Sequence, residues 1–203
     1  MISTLIFDFG DVFINLDKKG AQTNALKLFK IPEFHPDLLD MNLRYEKGEI
    51  QTETFIQFYL KRFPDCNRSN IIAAWNYILK DFPQYRLEFL IELKNSTNYQ
   101  LILLSNTNEM HINCISSDVD FYNEFKQCFD QFYLSHEIHM RKPDTDIFNF
   151  VLSSNKLKAE ECLFIDDTKE NTDAAEKLGI HTWNIDETTE DVIDLFKVKS
   201  NLL

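Results

Sequence analysis

The chain has 203 residues, of which 44% are hydrophobic, enough apolar surface for one folded domain with a smaller inserted unit and too much for global disorder. Its formal net charge of −12 disfavours partners such as nucleic acid or an anionic membrane, since both select basic surfaces. The cysteines Cys66, Cys114, Cys128 and Cys162 lack metal-site spacing, so we expect four reduced thiols.

The N-terminus runs directly into an apolar segment, without the basic and long apolar regions of a secretory signal. No apolar run is long enough to span a membrane. We therefore expect a soluble, cytoplasmic protein. The sequence does not indicate an oligomeric state.

Four short apolar runs predict strands, and each run ends in polar side chains that could take part in chemistry. The runs are residues 5–7 before Asp8, 101–104 before Ser105 and Asn106, 132–134 before Ser135, and 163–165 before Asp166 and Asp167. Near-continuous apolar runs are typical of strands that are buried on both faces of a parallel sheet. A weaker, alternating run at His181–Ile185 predicts an edge strand.

Helical periodicity separates the runs. It predicts helices at Tyr85–Lys94, at Asp144–Leu152, and from Thr168 as N-cap to Leu178, with Gly179 as the stop. This alternation predicts an α/β fold with a doubly wound, parallel, Rossmann-like sheet. Ligands of such sheets bind outside the carboxyl ends of the strands, where the polar residues lie.

One stretch between the first two strands breaks the alternation. It contains helical patterns at Lys18–Lys30, Thr52–Phe63 and Asn67–Lys80, and no strand-like run. A crossover needs only one helix, so this is too much chain for a simple connection. We predict an inserted helical cap of about four helices at residues 16–83, on an α/β core formed by residues 1–15 and 84–203.

Four segments then resemble, in order, the motifs of haloacid dehalogenase-like (HAD) hydrolases: Asp8–Val12, Leu104–Asn106, Arg141–Asp144 and Phe164–Asp167. The insert resembles the cap of that superfamily's first class. Tyr45–Ile50 and Leu104–Asn108 further resemble the subgroup that contains bacterial α-D-glucose-1-phosphate phosphatase. The resemblance implies a magnesium-dependent phosphatase, a phosphomonoester hydrolase acting on small phosphorylated metabolites and above all on sugar phosphates.

Asp8 is the candidate nucleophile. A carboxylate at the tip of a buried strand can attack phosphorus and form an aspartyl phosphate. Taken alone, an aspartate in this place is more typical of a turn at a strand end. The accompanying motifs favour the nucleophile.

Three acids, Asp8, Asp166 and Asp167, are expected to converge, and they would repel one another unless a cation lay among them. A hard, oxygen-binding ion such as Mg²⁺ fits best where phosphate also binds. By resemblance, the ligands are the Asp8 side chain, the Gly10 carbonyl and Asp167. Asp166 and Asn171 would support these ligands or hold waters.

Phosphate-binding groups are expected at the second and third motifs. The Ser105 hydroxyl and the Asn106 backbone N–H can hold a phosphate oxygen, and the Lys142 ammonium can stabilise the phosphate and the aspartyl intermediate. Ser105 and Asn106 would also suit an ordinary turn. It is the resemblance that selects Lys142 over Arg141 as the inward-pointing basic residue.

Gly10 departs from the family pattern. Related phosphatases commonly have an acid two residues after the nucleophile, and this acid protonates the leaving group at a gain of about 10²–10⁴-fold. Here the nearest acid is Asp11, one residue later, which is a candidate acid/base. The resembled subgroup also has glycine at this position, which favours an active enzyme.

Two other functions compete with the phosphatase. A 2-haloacid dehalogenase on the same scaffold would have no use for a metal, and the adjacent acids Asp166 and Asp167 argue against it. A non-enzymatic protein that binds a phosphorylated metabolite or a partner through the cap is the second alternative, and Gly10 is the feature that allows it.

Overall fold

The computed structural model describes all residues from 1 to 203 and contains one five-stranded sheet with the order β3-β2-β1-β4-β5. Its strands are β1 (Thr4–Phe7), β2 (Gln100–Ser105), β3 (Gln131–Leu134), β4 (Cys162–Asp166) and β5 (His181–Asn184). Every neighbouring pair is parallel. The predicted α/β fold class is therefore confirmed, and the strand order reverses direction at β1, because β2 and β4 lie on its two sides.

Eleven α-helices and two short 3₁₀ helices accompany the sheet. The α-helices are α1 (Lys18–Phe29), α2 (Pro36–Glu46), α3 (Thr52–Arg62), α4 (Arg68–Asn76), α5 (Gln84–Ser96), α6 (Glu109–Asp118), α7 (Tyr122–Gln127), α8 (Ser135–Ile138), α9 (Thr145–Ser154), α10 (Lys169–Glu176) and α11 (Leu195–Val198). The 3₁₀ helices are Ala159–Glu161 and Val192–Asp194. None of the helices has the combination of length and apolar character that crossing a membrane requires.

The sheet is buried on both faces, which explains its near-continuous apolar strands. Successive side chains of a strand point to opposite faces. In β1, Leu5 and Phe7 join the larger core cluster, and Ile6 joins a second cluster. Both clusters are closed by helices, so each apolar position of the strand has a core to enter.

Helices α1 to α4 form a separate packing unit between β1 and α5. Their aromatic side chains, including Phe55 and Tyr59, make up a third hydrophobic cluster, and its only buried residue from outside these helices is Met110 of α6. Phe55 and Tyr59 are fully buried, with ring centroids 4.9 Å apart. The domain boundaries at 16–83 remain a prediction.

The two chain segments that lead into and out of these helices pair with each other. Leu16 and Leu79 form an antiparallel bridge, and the backbone of Asn15 exchanges hydrogen bonds of 2.9 and 3.0 Å with Asp81 and Lys80. This pairing explains why α4 ends at Asn76 and not at Lys80 as predicted. Residues 77 and 78 form a turn, and from Leu79 onward the chain pairs with the incoming segment.

Two helices show details that the sequence pattern did not predict. Thr168 is the N-cap residue of α10, as predicted, but its side chain makes no capping hydrogen bond, and the helix ends at Glu176 rather than at Leu178. In α5 the buried face includes the charged residue Arg86 besides Leu87, Leu90 and Leu93. Arg86 can be buried because Asp191 forms a 2.9 Å ion pair with its guanidinium.

Candidate active site

Three polar side chains meet at the carboxyl edge of the sheet. Asp8 directly follows β1, Ser105 is the last residue of β2, and Asp166 is the last residue of β4. Because these strands are parallel neighbours, their ends lie side by side. All three residues are buried, and Asp166 is completely so.

Lys142 bridges two of the carboxylates. Its Nζ atom lies 2.8 Å from Asp8 Oδ1 and 2.6 Å from Asp166 Oδ2, and the side chain is fully buried. Burial by itself would lower the pKa of Lys142, but the charges of Asp166 and Asp8 outweigh this effect and raise it. Lys142 is therefore a fixed positive charge beside Asp8.

Asp166 uses both of its oxygens within the protein. Oδ1 accepts from the backbone N–H of Thr168 at 2.8 Å, and Oδ2 accepts from Lys142. The Asn171 amide donates to both oxygens, at 3.1 and 3.0 Å. Asp166 and Asn171 thus hold Lys142 in place, an arrangement that suits the supporting role expected of them.

The Asn106 side chain fixes the backbone of Lys142. Its Nδ2 donates to the Lys142 carbonyl at 2.8 Å, and its Oδ1 accepts from the Lys142 N–H at 2.9 Å. Sequence reasoning had considered only the backbone of Asn106 and missed this contact, because it joins residues 36 positions apart. Ser105, Asn106 and Lys142 all line the same cavity as Asp8.

Lys142 does not fully offset the effects that disfavour the negative charge of Asp8. Burial raises the pKa of Asp8 to about 7; Lys142 opposes this shift, whereas Asp166 and Asp167 add to it. A further cation close to Asp8 would favour its ionised form.

The oxygen atoms at this edge fit the predicted magnesium site. Carboxylate oxygens of Asp8, Asp166 and Asp167 lie within 4.8 Å of one another, and Asp8 and Asp167 remain for a metal because Asp166 is already engaged. The ion pairs of Asp8 and Asp167 each use only one carboxylate oxygen and leave the other for a metal. The carbonyl oxygen of Gly10, at the cavity wall, accepts no backbone hydrogen bond. A donor set made only of oxygens suits a hard cation such as Mg²⁺.

Lys18, the first residue of α1, contacts this edge from the inserted helices, and sequence reasoning did not identify it. Its Nζ lies 2.9 Å from Asp11 Oδ2 and also pairs with Asp167. The other Asp11 oxygen accepts from the Leu16 N–H at 2.8 Å. Asp11 does not line the cavity, so the geometry gives no support to Asp11 as the acid/base.

The cavity has a volume of about 510 Å³ and lies between the sheet edge and the inserted helices. The insert contributes Lys18, Glu46 and Ile78 to its wall. Arg141 also lines the cavity, but its Nε donates to Glu46 Oε1 at 2.8 Å. Lys142 is the residue that points to Asp8, in agreement with the expectation, and Arg141 points to the insert.

His111 of α6 is a further wall residue that sequence reasoning missed. Its Nε2 lies 3.1 Å from the Trp75 carbonyl of α4 and its Nδ1 lies 3.2 Å from Asn108 Nδ2. Burial lowers the pKa of His111 to about 4. The ring is therefore neutral at pH 7 and ties the core to the insert through hydrogen bonds.

Comparison with known proteins identifies relatives of the chain. A family model described as haloacid dehalogenase-like hydrolase matches residues 5–185. A curated relative, D-ribitol-5-phosphate phosphatase of Bacteroides thetaiotaomicron, is 27% identical over 197 residues, which cover 90% of this chain and 91% of the relative.

Solved structures give the same result. A HAD family enzyme of Bacteroides thetaiotaomicron is 35% identical with a TM-score of 0.86, over 96% of this chain and 98% of that one. A second structure of that enzyme, the wild-type protein in complex with magnesium and inorganic phosphate, aligns with 32% identity and a TM-score of 0.82. The alignment covers 97% of this chain and 100% of that one. A HAD-like family hydrolase of Porphyromonas gingivalis is 25% identical with a TM-score of 0.82, over 98% of each chain. The chain therefore belongs to the haloacid dehalogenase-like hydrolase family, which confirms the family predicted from its four motifs.

Proposed function

We propose that this HAD-like phosphatase uses Mg²⁺ to hydrolyse small sugar or polyol phosphates, through an aspartyl phosphate on Asp8. The enzyme class and the cofactor rest on the relatives, which include a phosphatase and a magnesium complex. The observation that carries the mechanism is the 2.8 Å contact between Asp8 and Lys142 at the wall of a cavity.

Each residue at the sheet edge has a role in this proposal. Asp8 attacks phosphorus, and Lys142 stabilises the negative charge that the phosphoryl oxygens carry. The Ser105 hydroxyl and the Asn106 N–H donate to the same oxygens.

The metal would be held by Asp8, the Gly10 carbonyl and Asp167, and it supplies electrostatic stabilisation of the phosphoryl group when bound. Asp166 and Asn171 keep Lys142 in position.

Removal of divalent cations should abolish phosphate release. We expect a chelator to lower kcat/KM by at least about 100-fold, because a metal contributes several kcal/mol of charge stabilisation. Adding Mg²⁺ back should restore the rate, and calcium added in its place serves as a control for the choice of ion. Full activity in the presence of chelator would contradict the assignment of Asp167 and Gly10 as ligands.

The cavity volume supports a small substrate. About 510 Å³ lies within the usual range for sites that enclose metabolite-sized ligands, about 300–1,000 Å³. The relative's substrate, D-ribitol 5-phosphate, belongs to the class that we propose. A screen of phosphate release should therefore rank sugar and polyol phosphates, with aldose 1-phosphates among them, above nucleotides. The highest kcat/KM for nucleoside monophosphates would contradict this substrate class.

The space beside Gly10 is filled by an apolar side chain. A Cβ atom at position 10 would lie only 2.6 Å from Leu16 Cδ1. Leu16, which also lines the cavity, therefore occupies the space where related enzymes have an acid, and Asp11 is held by Lys18 and the Leu16 N–H. We expect turnover to depend steeply on the acidity of the leaving group.

Leaving-group dependence can be measured with a series of aryl and alkyl phosphates. Rates should be high for activated aryl esters and lower by about 10²–10⁴-fold for simple alkyl esters. The Asp11→Asn variant should behave like the parent enzyme with aryl esters. A flat dependence in the parent, together with a large loss in Asp11→Asn confined to alkyl esters, would show that Asp11 is the acid.

A further inference from the structure

The Glu46–Arg141 pair lies in the wall of the cavity that holds Asp8 and Lys142. The pair uses only Arg141 Nε and Glu46 Oε1, at 2.8 Å. Glu46 therefore keeps Oε2 as an acceptor, and Arg141 keeps both Nη groups as donors. The Glu46 side chain is 29% exposed and the Arg141 side chain 24%, so these atoms are within reach of a bound ligand.

The segment that carries Glu46 is held firmly against the core. Ser135 Oγ donates to the Glu46 carbonyl at 2.7 Å, and His139 Nδ1 lies 3.0 Å from the Lys47 carbonyl. Gly48 has a φ of +66°, and a Cβ atom there would lie 1.9 Å from the His136 carbonyl oxygen. A backbone fixed at this end of α2 presents the Glu46 side chain in one place, which selective recognition requires.

The charges of the pair indicate the kind of group that it binds. A paired carboxylate and guanidinium are neutral together, so they give no net attraction for a second phosphate. They offer a strong acceptor beside strong donors, and neighbouring hydroxyl groups need both. Arg141 directly precedes Lys142, so the hydroxyls would lie on the part of the substrate next to the phosphate.

We propose that Glu46 and Arg141 together form the site that binds hydroxyl groups of the leaving group, and so select sugar or polyol phosphates over apolar phosphate esters. This inference rests on the proposed phosphatase activity and deepens it. The hydroxyls donate to Glu46 Oε2 and accept from Arg141 Nη.

The test compares two esters of the same chain length, D-ribitol 5-phosphate and n-pentyl phosphate, in the parent enzyme and in Glu46→Gln and Arg141→Gln. Each variant should lower kcat/KM for ribitol phosphate by roughly 10–100-fold, the usual effect of losing a charged hydrogen bond. For pentyl phosphate the change should stay within about twofold. The inhibition constant of free ribitol, measured against p-nitrophenyl phosphate, should rise in the same variants, while that of inorganic phosphate stays the same.

The double variant Lys47→Gln/Asp144→Asn is the matched control. Lys47 and Asp144 form a 3.2 Å ion pair between the same two segments, and neither residue lines the cavity. If the Glu46–Arg141 pair only held the insert on the core, the control would reproduce its effect. Equal losses of kcat/KM for both esters in Glu46→Gln and Arg141→Gln would overturn this inference but not the proposed phosphatase function. A parent enzyme that released phosphate from neither ester would overturn the proposed function, and this inference with it.

Discussion

The Asp8→Asn variant should lose phosphatase activity by about 10⁴-fold or more while keeping its fold, because the amide has the shape of the carboxylate but cannot attack phosphorus. Its effect on the free energy of unfolding should be small. Burial disfavours the Asp8 charge and Lys142 favours it, so losing the charge changes two opposing contributions at once.

Steady-state phosphate release, read beside a thermal melt, measures both effects. Intact-protein mass spectrometry should detect a phosphorylated enzyme during turnover by the parent and none in Asp8→Asn. Asp120→Asn, the same change at an exposed loop position, should resemble the parent in both assays. An Asp8→Asn variant that is folded and retains most activity would exclude Asp8 as the nucleophile.

The Lys142→Met variant should lose both activity and stability. Lys142 is fully buried and pairs with both Asp8 and Asp166, so its removal leaves two buried carboxylates without a counter-charge. Breaking a buried ion pair in this way costs about 3–5 kcal/mol, which corresponds to a fall in Tm of about 6–20 °C for a chain of this size. Loss of the charge at the phosphoryl group should also lower kcat by about 10²–10³-fold.

A double variant separates these two effects. Lys142→Met/Asp166→Asn removes one of the unpaired carboxylates, and the Asn171 amide can still donate to the side-chain carbonyl oxygen that remains at position 166. We expect the double variant to recover part of the lost Tm but none of the lost activity. A Lys142→Met enzyme with unchanged Tm and a near-normal kcat would contradict the central position of this residue.

The fold and the chemical groups of the site could be predicted because their signals are local in the sequence. The apolar runs that end at Asp8, Ser105 and Asp166 mark both the strands and the residues at their carboxyl ends. The strand order could not be predicted in this way, because it depends on pairings between distant segments. The sequence likewise contained no signal that α4 would stop at Asn76, since its end is set by pairing between residues 78–81 and 15–17.

The residues that were missed all act across the boundary between the core and the inserted helices. Lys18 reaches Asp167, Glu46 reaches Arg141, and His111 reaches the Trp75 carbonyl. Each of these contacts depends on how the insert sits on the sheet edge, and no periodicity or motif encodes that placement. From the sequence alone, a lysine at the first position of a helix is expected to be exposed to solvent.

The contacts of Lys18 and Lys142 have a consequence for how the enzyme responds to its surroundings. Four carboxyl groups, Asp8, Asp11, Asp166 and Asp167, pair with only these two ammonium groups, so acidic groups outnumber basic ones at this edge. A divalent cation there would offset this excess of acidic groups, and we expect a phosphate dianion to be repelled without it. Because such coupling is reciprocal, substrate and cation each strengthen the binding of the other. We therefore expect the apparent KM for the substrate to fall as the concentration of free magnesium rises.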